Sequence, residues 1–206
     1  MDIRDYLAPA PLPGTEPPPR ALFVDRWGTL FSSSSGEDCS DFDQLVFSEG
    51  AENALFRATQ ASWRIYLLGN EDAVAFGRVS DAAWKRFENA YLEHLSSLGA
   101  RVSRNYACLD NPEGKGAHAK DSVFLLPNTG ALYHAAQHDG IRLDESWVIG
   151  DGSLELAAGW RAGCRLARVG DTPLSFDSDL TVDPDLECGS LAEAIQSILA
   201  SHRMVG

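Results

Sequence analysis

Residues 21–31 read ALFVDRWGTLF, and residues 147–163 read WVIGDGSLELAAGWRAG. In both, a short apolar run of strand composition gives way to an aspartate, Asp25 in the first and Asp151 in the second. A glycine follows each within three residues, Gly28 and Gly152. A glycine there permits a tight turn and leaves backbone N–H groups open to an anion. A single aspartate in this setting is often only a turn cap, bonded to its own backbone. Two of them, ending different strands, point to a shared site.

Working outward, short apolar runs alternate with helical periods. The spacing predicts strands over Ala21–Val24 and Trp63–Leu68, a helix from about Gly50, and a long helix opened by Ser80. In that helix Trp84, Phe87, Tyr91, Leu95 and Leu98 recur every three or four residues until Gly99 stops it, and the aromatic stripe reads as core packing. A short run lies around Tyr106. Then come a helix over Thr129–His138 ended by Gly140, a strand over Ser146–Ile149 and a helix over Ser153–Ala162 ended by Gly163. A strand over Cys164–Val169, a short run at Leu180–Val182 and a helix capped by Ser190 complete the series. This β-α-β-α order predicts an α/β fold, a mainly parallel sheet joined by right-handed crossovers and covered by helices on both faces. Such sheets bind ligands beyond the carboxyl ends of their strands, where Asp25 and Asp151 stand.

The chain has 206 residues, 44% hydrophobic and 23% charged, an ordinary globular balance. Its 17 Lys+Arg against 30 Asp+Glu leave a formal charge of −13, which opposes nucleic acid and anionic membranes. No segment approaches the ~18 consecutive apolar residues of a membrane span, and no basic stretch followed by an apolar run opens the sequence. No signal peptide is therefore expected, and the cytoplasm is the expected location. The four cysteines, Cys39, Cys108, Cys164 and Cys188, are widely spaced and suit a reducing compartment. Six of the ten prolines lie between Pro9 and Pro19, so residues 1–19 are expected to form an extended arm and residues 20–206 one domain. The negative charge would also oppose a small anionic ligand unless a helix N-terminus or a divalent cation reversed it locally. A metal is thus the cofactor these residues suggest.

ALFVDRWGTLF resembles the first motif of the haloacid dehalogenase-like superfamily, hhhhDxDGTL, and VIGDGSLELAAGWRAG resembles its last, GDxxxDxxAGxxAG. Between them stand LLGNEDAVAFG, YACLDNPEG and LLPNTGALYHAAQHDG. They occupy, in order, the places where the capless branch of heptose-bisphosphate and histidinol-phosphate phosphatases has VTNQSGIARG, YxCPHHPEx and RKPxPGMLxxAxxxxG. The correspondence runs from about Ala21 to Val182 and implies a Rossmann-like fold without a large cap domain.

The resemblance implies that Asp25 is the nucleophile position, whose carboxylate attacks phosphorus to form an aspartyl-phosphate. It also implies losses. The family's acid/base aspartate falls on Trp27, its motif-two hydroxyl on Gly69 and its motif-three lysine on Leu126, while Gly28 and Asn70 remain as phosphate-binding positions. The repair this mapping suggests is Trp27→Asp with Gly69→Thr and Leu126→Lys. The family's Mg²⁺ site is better kept. Asp25, the backbone carbonyl of Trp27, Asp151 and, through a water, Glu155 are the ligands implied, and hard oxygen donors suit that ion. Of the branch's four zinc ligands Cys108 is kept, Asp110 replaces a histidine, and Ser122 and Phe124 replace two cysteines, so no zinc is expected. His118 reads as a solvated loop histidine, and Lys115 and Lys120 in the same loop are the alternative source of charge for a phosphate.

Losing acid–base assistance costs about 10²–10⁴ in rate, and losing a charge-stabilising donor about 10²–10³. The expected function is therefore a phosphatase homologue, catalytically impaired, that binds a divalent metal or a phosphorylated small molecule. Two alternatives stand beside it. One is an active hydrolase working through Asp25 on phosphate esters or acyl phosphates. The other is a non-catalytic module in which Trp27 fills the site and the proline arm recruits a protein partner. The sequence leaves the oligomeric state open.

Overall fold

The computed structural model describes residues 18–36, 38–170 and 182–203. Six strands, β1 (Ala21–Asp25), β2 (Arg64–Asn70), β3 (Val102–Cys108), β4 (Trp147–Gly150), β5 (Arg165–Val169) and β6 (Leu186–Cys188), form one sheet in the order β3-β2-β1-β4-β5-β6. Every neighbouring pair is parallel. The helices are α1 (Ala51–Gln60), α2 (Asp72–Ala75), α3 (Asp81–Ser97), α4 (Gly130–Asp139), α5 (Ser153–Ala162) and α6 (Leu191–Arg203).

Alternation along β1 divides the core. Leu22 and Val24 join Ile65, Leu67 and Ile149 on the face covered by α1, α3 and α6. Ala21 and Phe23 join Tyr66, Leu68 and Val148 on the face covered by α4 and α5. Because both faces are buried, the strands read as continuous apolar runs instead of alternating ones. α5 lies against the sheet at a glycine. A Cβ on Gly159 would meet Val148 Cγ2 at 2.7 Å and Leu166 Cδ2 at 2.8 Å.

Apart from the run at Leu180–Val182, the predicted elements are present, with β3 longer than the run around Tyr106. The Ser80 hydroxyl accepts the Ala83 N–H at 3.3 Å to open α3, and the Ser190 hydroxyl accepts the Glu193 N–H at 3.2 Å to open α6. Two elements were not foreseen. α2 is a single turn, and β6 is a three-residue piece of mixed polarity whose strand character comes from pairing with β5. Residues 180 and 181 of the expected run, and residues 1–17 of the expected arm, lie outside the described residues. Residues 26–50 and 109–129 form loops, and no separate domain caps the sheet among the described residues. No helix among them is long and apolar enough to cross a membrane.

Chain order diverges at β1, with β2 and β3 on one side and β4, β5 and β6 on the other. The carboxyl ends of β1 and β4 therefore flank the crevice where the crossovers part. Asp25 is the last residue of β1, and Asp151 is the first after β4.

The close seat of α5 sets a test of this packing. Gly159→Val should cost about 1–3 kcal/mol through overpacking against β4 and β5, measured by urea unfolding. A variant as stable as the wild type would mean that α5 can lift from the sheet without loss.

Candidate active site

The carboxylates of Asp25, Asp151 and Glu155 converge, each offering an oxygen, with these atoms all within 4.8 Å of one another. Asp25 and Glu155 are buried, at 8% and 6% exposure, whereas Asp151 opens to solvent. Burial, then the charges of Glu155 and Asp151, hold the Asp25 carboxyl well above the usual carboxylate range. Burial pushes Glu155 up to about 7, and it raises Asp151 as well. Glu155 is further occupied at the start of its own helix, where its Oε1 accepts the Gly152 N–H at 2.5 Å. Thr29 Oγ1 donates to Asp151 Oδ1 at 3.4 Å.

The loop after β1 is shaped around this cluster. Gly28 has φ +84°, and a Cβ there would lie 2.0 Å from Asp151 Oδ2, so only glycine lets the loop approach that carboxylate. The Leu30 N–H donates to the Asp25 carbonyl at 3.2 Å and the Phe31 N–H to the Arg26 carbonyl at 2.7 Å. Among the described residues no backbone N–H of the loop donates to the Trp27 carbonyl. Three carboxylates gathered in a low-dielectric crevice are a hard oxygen donor set that fits a divalent cation.

The most consequential residue of the site escaped the sequence reading. Arg26 has no solvent exposure. Its Nε donates to Glu71 Oε1 at 2.9 Å, its Nη2 to the same oxygen and to the Gly69 carbonyl at 3.0 Å, and its Nη1 to Asn105 Oδ1 at 2.7 Å. Glu71 Oε2 in turn accepts the Trp27 Nε1–H at 3.2 Å. The Trp27 ring lies parallel to Phe87 at 6.2 Å and edge-on to Phe31 at 5.2 Å. The residue at the expected acid/base position is therefore a half-buried aromatic anchor packed against the core under α3. Gly69, with φ +146°, leaves the space into which the guanidinium fits. A Cβ on it would meet Arg26 Nη2 at 2.9 Å and Asp25 Oδ1 at 3.3 Å.

Other expected positions serve structure. Asn70 ties β2 to the 109–129 loop: its Oδ1 accepts the Leu126 N–H at 2.8 Å and its Nδ2 donates to the Leu126 carbonyl at 3.2 Å, leaving the second Nδ2 N–H outside this pair. Leu126, 6% exposed, packs with the core on the α4 and α5 face. His118 is not solvated: its Nδ1 pairs with Asp110 Oδ1 and its Nε2 with Asp81 Oδ1, each at 2.9 Å. This staples the 109–129 loop to the first turn of α3. Lys120 reaches Asp110 Oδ2 at 3.4 Å, so its charge is directed to the staple. Cys108 Sγ donates to the Asp110 carbonyl at 3.2 Å. Lys115 donates its backbone N–H to the Ala75 carbonyl at 2.7 Å.

No family model matches the chain. A D-glycero-beta-D-manno-heptose-1,7-bisphosphate 7-phosphatase of Mesorhizobium japonicum is 27% identical over 187 residues, covering 89% of this chain and 85% of that protein. A D-glycero-alpha-D-manno-heptose-1,7-bisphosphate 7-phosphatase of Burkholderia mallei is 29% identical over 162 residues, covering 78% and 82%. Among solved structures, a HAD-like protein from Mesorhizobium loti superposes with a TM-score of 0.74 at 26% identity, covering 93% of this chain and 89% of that one. The D,D-heptose 1,7-bisphosphate phosphatase of B. bronchiseptica, complexed with magnesium and phosphate, shares the fold with a TM-score of 0.69 at 22% identity, covering 88% and 99%.

The occupied space at Gly69 argues against the repair suggested by motif mapping. Gly69→Thr should lose about 1–3 kcal/mol in thermal unfolding through overpacking, with added strain from the positive φ. A Gly69→Thr protein matching the wild type would show that the guanidinium moves aside. The His118 staple makes a pH prediction. Hydrogen bonds donated to Asp110, then to Asp81, raise the imidazolium pKa above its ordinary 6.5. A raised folded value contributes stability that is full below the unfolded pKa and disappears as pH rises through the folded one. The stability gap between wild type and His118→Gln should thus be wider at pH 6 than at pH 9, and an equal gap at both would remove the imidazolium from the account.

Proposed function

We propose, from its place in the haloacid dehalogenase-like superfamily and the heptose-bisphosphate phosphatase-like branch, that this chain is a Mg²⁺-dependent phosphohydrolase of restricted scope. Asp25 takes the phosphoryl group from a small phosphorylated molecule whose leaving group departs without a proton. The observation that carries this reading is a contrast at one crevice. Asp25, Asp151 and Glu155 gather their oxygens within 4.8 Å, while the position two residues after Asp25 is a tryptophan whose N–H is held by Glu71.

Bound Mg²⁺ would offset the carboxylate charges and polarise a phosphoryl oxygen, with Asp25, Asp151, the Trp27 carbonyl and Glu155 as its holders. An Asp25 oxygen attacks phosphorus, the new O–P bond forms, and the bond to the leaving oxygen breaks with its electron pair going to that oxygen. In the family pattern position 27 protonates it; here the indole has no acidic proton to give. Glu71 does not stand in, since its oxygens accept from Arg26 and Trp27. Alkyl leaving groups are therefore slow, and aryl or acyl leaving groups, already stable as anions, are favoured. The same lack of a base leaves the aspartyl-phosphate slow to hydrolyse.

With Mg²⁺ present, kcat/KM for acetyl phosphate and p-nitrophenyl phosphate should exceed that for sugar phosphates by about 100-fold, the size of effect an acid catalyst supplies. Chelation or Asp25→Asn should abolish the activity. Efficient hydrolysis of a sugar phosphate that Asp25→Asn removes would mean that another residue supplies the proton. A protein with neither turnover nor a Mg²⁺-dependent thermal shift would be the interaction module instead.

A further inference from the structure

We infer that Arg26 is a positioning residue for the phosphoryl group, its guanidinium, just after β1, supplying the charge stabilisation that Gly69 in β2 and Leu126 in the 109–129 loop do not. The inference rests on the reading of Asp25 as phosphoryl acceptor. Its basis is geometric. The point where a side chain would leave Gly69 lies 2.9 Å from Arg26 Nη2, 3.3 Å from Arg26 Cζ and 3.3 Å from Asp25 Oδ1. Guanidinium and carboxylate thus border one point, beside the place where the family's hydroxyl would meet a phosphoryl oxygen. The second oxygen of Glu71 is held by the Trp27 indole.

The guanidinium is therefore a fixed positive charge bordering the space beside Asp25. In a low-dielectric crevice such a charge stabilises negative charge arriving on Asp25 without direct contact. Packing alone does not call for it, because apolar residues of similar volume commonly serve as well as or better than a buried pair. The orientation is also held from behind. Asn105, which accepts from Arg26, donates to Glu88 Oε1 at 2.7 Å and to the Tyr91 hydroxyl at 2.8 Å on α3, and the guanidinium lies over the Trp84 ring at 5.8 Å. Nη2 gives its N–H groups to Glu71 Oε1 and the Gly69 carbonyl, so the guanidinium acts on Asp25 through its field and not through a hydrogen bond.

The test uses beryllofluoride, which ligates a carboxylate oxygen as an aspartyl-phosphate mimic, on the full chain with Mg²⁺, read by thermal shift and calorimetric titration. Glu71→Gln leaves the guanidinium uncompensated and should tighten beryllofluoride about 10-fold. Arg26→Met with Glu71→Met removes the pair together, so the protein should fold near wild-type stability and bind about 10-fold more weakly. Opposite signs are the signature, since a merely structural pair would move both variants the same way. Should Glu71→Gln fail to fold, the double variant alone decides: unchanged affinity overturns the role of Arg26. A wild type that binds Mg²⁺ and beryllofluoride with neither variant altered overturns this inference only. A wild type that binds neither overturns the functional reading, and this inference with it.

Discussion

A guanidinium sealed from water must find acceptors for its N–H groups, and at Arg26 that requirement organises the carboxyl edge of the sheet. The partners come from three elements: Glu71 just after β2, the Gly69 carbonyl within β2, and Asn105 in β3. Asn105 then reaches α3, and the second oxygen of Glu71 takes the Trp27 indole, which lies on Phe87 of α3. Glycine at 69, tryptophan at 27 and glutamate at 71 are consequently parts of one arrangement. A motif-two side chain would collide with the guanidinium, and an aspartate at 27 would bring a second carboxylate toward Glu71. The departures from the family pattern behave as a single repacking, coupled through a buried network in which each member's cost depends on the others.

Beside this network the crevice between β1 and β4 collects negative charge. The parallel register that sets Val24 beside Ile149 places Asp25 and Asp151 at adjacent strand ends, and the first turn of α5 adds Glu155. Three carboxyls whose protonation is favoured by burial and by one another form an unstable grouping without a cation, and one that a divalent ion would relieve. The structure thus holds an acidic cluster, open through Asp151, beside a sealed Arg26–Glu71 ion pair.

The 109–129 loop is held by charge. Asp110, His118 and Lys120 come together and tie to Asp81 of α3, an ionic staple that responds to pH through its imidazole.

Much of the fold was legible because its signals are local. Apolar runs of strand length, the three-and-four spacing from Trp84 to Leu95, the Ser80 cap and the glycine stops each depend on neighbours a few residues away. The order of elements then restricts the sheet to parallel pairing. Asp25 and Asp151 could be named for the same reason, as residues that end strands. β6 was hidden because its strand character is conferred by pairing with β5. Arg26, Glu71 and His118 were hidden because a long or rotatable side chain has no direction in sequence. A histidine in a loop reads as solvated until its two carboxylates are found, and the two bonds between the Asn70 amide and Leu126 have no signal in sequence. The sequence by itself determined the α/β architecture and the two aspartates at its switch point, since these follow from backbone period and chain order. Only the tertiary structure decided that the space beside Asp25 belongs to a buried arginine, because that outcome depends on which distant residues, 43 and 79 positions away, accept its hydrogen bonds.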